Sequence, residues 1–104
     1  MKTFNKLIRD KIPEIIEKAG NNYEIEVLDD EEYIKALNDK LEEELDEYKA
    51  SKEIMELVDL VEIIYAILDY KNISRAEFQK MRKEKQKERG GFEKKLFLKK
   101  AEED

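Results

Sequence analysis

The sequence predicts a mostly α-helical fold, a bundle built on an antiparallel acidic helix hairpin, with one or two short β-strands. Three observations carry that expectation. Apolar residues recur at helical spacing through the middle of the chain, behind recognisable N-terminal capping residues. The two longest helical stretches are joined by a very short connection near Ser51, and short connections make antiparallel neighbours. Only "YEIEVL" and "FEKKLFL" read as extended.

The elements follow in order. "FNKLIRDKIPEIIEKAG" opens irregular or extended and becomes a helix from about Lys11 to Ala19. Asp10 is the expected N-cap, Pro13 fits the first turn, and Gly20 with Asn21 and Asn22 ends the helix. Tyr23, Ile25 and Val27 alternate with glutamates, the pattern of a half-buried strand. "DDEE" caps a helix over about 31–50, with an expected apolar stripe of Ile34, Leu37, Leu41, Leu45 and Tyr48.

Ser51 is expected to cap the next helix, about 52–71. Its apolar residues, from Ile54 to Leu68, cover more than half of the circumference, far more than one partner helix conceals. Such a helix belongs at the centre of a bundle completed by a second subunit, so a homodimer or homotetramer is expected. Ser74-x-x-Glu77 caps a third long helix, about 75–89, stopped by Gly90 and Gly91. Residues 1–98 form a single expected domain, and 99–104 a disordered tail.

Composition narrows the chemistry. The 104 residues include no cysteine and no histidine. That removes thiolate nucleophiles, disulfides, zinc sites of the usual kind and imidazole acid–base catalysis. Any metal must be held by oxygen, which favours Mg²⁺, Mn²⁺ or Ca²⁺. No membrane-length apolar run and no signal peptide are visible, so a soluble, cytoplasmic protein is expected. Residues 29–62 hold fourteen acids and four bases, while 71–100 hold twelve bases and four acids. One block of each sign suits a ligand carrying both anions and cations, although opposed blocks also simply attract each other.

The acids have a pattern. Glu44 and Glu47 are three apart on one helix, and Glu56 and Asp59 repeat the spacing on the next. With the bend near Ser51, Glu47 and Glu56 lie roughly 6 and 7 Å from it, and Glu44 and Asp59 roughly 10 and 12 Å. The pairs are level. If their faces turn together, four carboxylates converge. Glu56 also projects between the directions of Ile63 and Ile67, inside the apolar arc, where a partly desolvated charge needs a cation. Against this stands the ordinary behaviour of acidic helices, whose charges usually face solvent beside i,i+4 lysines.

At these residues the chain resembles a family. "LEEELDE" followed by "ELVD" resembles the E-x-x-E … E-x-x-D signature of the MazG-like all-α nucleoside triphosphate pyrophosphohydrolases, a group that includes phosphoribosyl-ATP pyrophosphohydrolase. "NKLIRDKIP" and "KEKQKERGGFEKKLF" resemble one branch of that superfamily, so the likeness runs over about residues 4–98. The resemblance implies a MazG-like helical bundle. It also implies Mg²⁺-dependent (or Mn²⁺-dependent) hydrolysis of the α–β phosphoanhydride of a nucleotide, giving the monophosphate and pyrophosphate. Nucleotide-pool house-cleaning is the implied role. Glu44, Glu47, Glu56 and Asp59 would hold metal and serve catalysis, with Glu43 a further catalytic candidate beside them. Metals suit this chemistry because they neutralise phosphate charge and activate water.

The basic segments supply the expected phosphate contacts. Lys83 and Lys87 share a helix face that Arg89 closes, although cations near a helix C-terminus are favourable without any ligand. Asn5, Lys6, Arg9 and Lys11 lie in the N-terminal motif, where Arg9 and Asp10 could equally form a structural ion pair. No aromatics are interleaved with these bases, so a nucleic-acid surface is not expected. Two alternatives stand beside the main reading: phosphoribosyl-ATP pyrophosphohydrolase itself, and a non-catalytic helical interaction or nucleotide-sensing module.

Overall fold

The structure, a computed structural model, describes residues 1–102. It is helical, with α1 at Ile12–Lys18, α2 at Asp30–Ser51, α3 at Ile54–Tyr70 and α4 at Arg75–Arg89. The chain falls into two compact units, Met1–Asn72 and a second from Ile73 onward.

In the first unit, α1 begins one residue later than expected and Lys11, not Asp10, occupies its N-cap with no side-chain hydrogen bond. Pro13 lies in the first turn, where a missing N–H costs nothing. α2 is started by Asp29, whose Oδ1 accepts from the Glu32 amide at 2.8 Å. Asp30, Glu31 and Glu32 then face the positive end of the helix dipole. Ser51 is the last residue of α2 rather than the cap of α3. Lys52 follows in the left-handed region at φ 59°, its amide donating to the Tyr48 carbonyl at 2.7 Å. The chain reverses there, and the Ser51 hydroxyl accepts from the Glu53 amide at 3.2 Å.

α2 and α3 pack together as the hairpin. Leu37 of α2 meets a core that includes Ile63 and Leu68 of α3, all three buried. At the open end, Tyr33 and Tyr70 pack edge to face with ring centres 6.2 Å apart. Leu45, expected on the buried stripe, is 46% exposed, while Glu44 is 6% exposed. The buried line of α2 therefore runs through Leu37, Glu44 and half-buried Leu41 and Tyr48. The reason is rotational. The face of α2 is fixed by where Leu37 and Leu41 meet α3, and position 44 continues that row at i+3 and i+7.

No strand forms among the described residues. Residues 21–29 have no regular secondary structure, with Ile25 and Val27 exposed, and Phe92 begins a turn within the other predicted strand. Alternation chooses which side chains face which way. A strand also needs a second strand to satisfy its backbone, and neither segment has one among the described residues.

In the second unit, the Ser74 hydroxyl accepts from the Glu77 amide at 3.1 Å and starts α4 where the capping pattern places it. Gly90, at φ +85°, ends it in a conformation that a side chain would strain. Residues 99–102 are exposed and irregular, and the rest of the expected tail, 103–104, lies outside the described residues. No helix among the described residues is long and apolar enough to cross a membrane.

Candidate metal centre

The hairpin brings five carboxylates together in two overlapping groups. Oxygens of Glu43, Glu44 and Glu47 lie within 4.8 Å of one another, and so do oxygens of Glu44, Glu56 and Asp59. Glu44 belongs to both groups. The four acids expected to converge are thus present, divided into two sets that share one member, and Glu43 joins them through its neighbour.

Glu44 is the unusual member. Its carboxylate is buried, and its Oε2 has no hydrogen-bond partner among the described residues. Burial raises its pKa above the ordinary 4.5, the nearby Glu47 raises it further, Lys40 opposes the shift, and Asp59 adds to it. A buried, unpartnered carboxylate oxygen is costly unless something positive meets it. The sequence reading placed the desolvated charge at Glu56. That residue and Asp59 are half-buried, and Glu47 is exposed.

Three cations already lean on the cluster. Lys40 Nζ lies 3.5 Å from Glu44 Oε1 and 3.7 Å from Glu43 Oε2. Lys6 Nζ approaches Glu43 Oε1 at 3.8 Å. Arg9 Nη2 donates to Asp59 Oδ1 at 2.6 Å. Arg9 therefore pairs across the fold and not with its neighbour Asp10. Five carboxylates against these three cations leave a formal charge of −2, which one divalent ion would balance. The donor set is all oxygen, includes an unsatisfied buried ligand atom, and fits a hard cation such as Mg²⁺ or Mn²⁺. Lys40 was not singled out from sequence, although its i+3 and i+4 relation to Glu43 and Glu44 was in view.

The other predicted contacts lie elsewhere. Asn5, at φ 45°, and Lys11 are exposed in the N-terminal segment. Lys83 and Lys87 are exposed on α4, in the second unit. An open cleft of about 870 Å³ in that unit is lined by Arg82, Lys85 and Arg89 together with Gly90, Gly91, Phe92 and Glu93. Of the three cations expected on α4 to meet phosphate, Arg89 alone lines this cleft. Its other cations come from the neighbouring helix strip.

Comparison with known proteins adds one relative. An uncharacterized protein of Mycolicibacterium smegmatis (strain ATCC 700084 / mc(2)155) is 46% identical over 46 residues, 44% of this chain and 47% of that protein. The match thus spans about half of the relative's length. No family model matches the chain, and no solved structure matches it.

Proposed function

We propose that the protein is a divalent-metal-dependent nucleotide pyrophosphohydrolase, cleaving a nucleoside triphosphate or related nucleotide between the α and β phosphates. The observation that carries the reading is Glu44, a buried carboxylate with an unsatisfied oxygen at the junction of two acid groups. Glu44, Glu47, Glu56 and Asp59 would hold Mg²⁺ or Mn²⁺. An ion held there would supply positive charge to the polyphosphate and would lower the pKa of a bound water. Glu43, whose two oxygens face Lys6 and Lys40, would help orient that water. Arg9 and Lys6 lie beside the acids, where phosphate oxygens would arrive. The likeness of "LEEELDE … ELVD" and both flanking motifs to the MazG-like enzymes agrees with this chemistry.

The assembly belongs to the same proposal. Among the described residues only Leu37, Ile63 and Leu68 are buried hydrophobics, a small core for a 12.5 kDa chain. Ile54, Met55, Val58 and Val61 are exposed along α3, and with Leu57 they form an apolar strip that a second subunit would cover. A homodimer or homotetramer of MazG-like bundle type follows, and light scattering that found only monomer at micromolar concentration would remove this part.

The deciding experiment is turnover of a panel of NTPs, dNTPs and phosphoribosyl-ATP, with Mg²⁺ and with excess EDTA. Mg²⁺-dependent pyrophosphate release is expected. Release that persists in EDTA would refute the mechanism, and nucleotide binding without turnover would make the protein a sensing module.

A further inference from the structure

We infer that Arg9 is a tethered counter-ion of the metal centre, a charge that rests on Asp59 until a divalent cation displaces it. This rests on the metal reading above and concerns how that site fills. Arg9 stands 50 residues from Asp59 in sequence, yet its Nη2 donates to Oδ1 at 2.6 Å. Asp59 also offers an oxygen to the group it makes with Glu44 and Glu56. One carboxylate thus serves both the guanidinium and the candidate metal seat.

A carboxylate has two oxygens, so crowding is not the issue. The issue is charge. A divalent ion a few ångströms from a guanidinium repels it strongly in a partly desolvated site. Either the arginine leaves or the ion binds more weakly. Lys40 and Arg9 differ in their freedom to move. Lys40 rises from α2 itself, three and four residues before Glu43 and Glu44, with its side chain only 19% exposed. It is the most covered of the three cations at the cluster.

Arg9 can leave. Its side chain is 55% exposed, and residues 1–9 form no helix or strand. An exposed pair of this kind contributes little to stability, so breaking it costs little. Lys6, from the same segment, remains near Glu43 and keeps the arm at the site. The released guanidinium carries five donors in a planar fork suited to phosphate oxygens. The apo contact therefore parks, beside the cation seat, a group whose chemistry suits the incoming anion.

The test titrates Mn²⁺ alone into the full-length protein, with free ion followed by electron paramagnetic resonance. Arg9→Gln should bind Mn²⁺ about two- to fivefold more tightly than wild type. That gain should shrink as NaCl is raised. In wild type, the NMR signals of the Arg9 guanidinium should move to those of a free arginine side chain when Mg²⁺ saturates the site. Unchanged or weaker Mn²⁺ affinity in Arg9→Gln would make Arg9 a structural tie and overturn the inference. Guanidinium signals that Mg²⁺ leaves unchanged would do the same. Wild-type protein that bound no Mn²⁺ would instead overturn the metal reading itself, a separate result.

Discussion

Glu44–Glu47 on α2 and Glu56–Asp59 on α3 repeat one spacing in two settings. On α2 the pair is split, with Glu44 buried and Glu47 exposed. On α3 both members are half-buried, and among the described residues only Asp59 of the two has a cation, Arg9, within hydrogen-bonding distance. Three residues of separation set neighbourhood along a helix but not depth. Depth depends on where the interhelix contact falls, and on α2 it falls along Leu37, Leu41 and Glu44. An acid in the middle of an apolar row is desolvated by its partners, whereas an acid at the edge of a row chooses its own hydration. One carboxylate, not four equivalent ones, therefore carries the electrostatic stress of the cluster.

Glu44→Gln should break that stress most visibly. Loss of pyrophosphate release by at least about 100-fold is expected, beyond the 10–100-fold typical of outer-shell groups. Without metal the variant should melt at or above wild type, by on the order of 1 kcal/mol, because a costly buried charge is gone. Its stabilisation by Mg²⁺ should largely vanish. The pH dependence fixes the sign. Glu44 has a folded pKa raised above 4.5, so the folded state binds its proton more readily than the unfolded chain. That contribution to metal-free stability is fully present below the ordinary carboxylate value and is lost as pH rises through the raised one. Glu44→Gln should flatten this fall in melting experiments. A variant with wild-type pH dependence and normal Mg²⁺ stabilisation would remove Glu44 from the site.

The α3 pair sharpens the contrast because its members should respond with opposite sign. Glu56→Gln removes a half-buried acid that has no ion pair among the described salt bridges. It should leave metal-free stability unchanged or slightly higher while impairing turnover. Asp59→Asn deletes the partner of Arg9, so metal-free stability should drop by a few tenths of a kcal/mol, the scale of an exposed pair. Equal melting shifts in the two variants would show that the Arg9 contact is energetically silent. The smallest effect belongs to Glu47→Gln. Its exposure predicts metal-free stability within about 0.5 kcal/mol of wild type, the range of ordinary surface changes. A large loss of metal-free stability at Glu47 would reverse the ranking of the two α2 acids.

Much of this was legible before any coordinates. Asp29 and Ser74 announce their helix starts because capping is a local bond between a side chain and an amide three residues away, while Pro13 and Gly90 mark theirs through the backbone angles they favour. The hairpin followed from its short connection, and the four acids from their spacing. The burial of Glu44 was not legible, since positions 44 and 45 flank the row of Leu37, Leu41 and Tyr48 about 100° apart, and a rotation of only part of that angle decides which one is covered. Leucine at 45 drew the reading to the wrong side. Strands at Tyr23 and Phe92 failed for a different reason, because pairing is a property of two segments and alternation is a property of one. The Arg9–Asp59 contact joins residues 50 apart, and no local rule connects them.

The reversal at Lys52 has a consequence for how this chain can change in length. Its left-handed residue joins two long helices with almost no slack, so the nine positions from Glu47 to Glu56 work as a counted distance. One residue inserted between Ser51 and Ile54 would replace the single left-handed reversal at Lys52 with a longer turn and change where α3 starts relative to α2. Both helices would survive, and Glu56 and Asp59 would no longer be held level with Glu44. Residues 21–29, without regular structure, set no such count and should tolerate added length. An insertion in the turn that folded yet kept full Mg²⁺ stabilisation would contradict this. The hairpin bend is in that sense the least editable stretch of the protein, although it contains none of the candidate ligands.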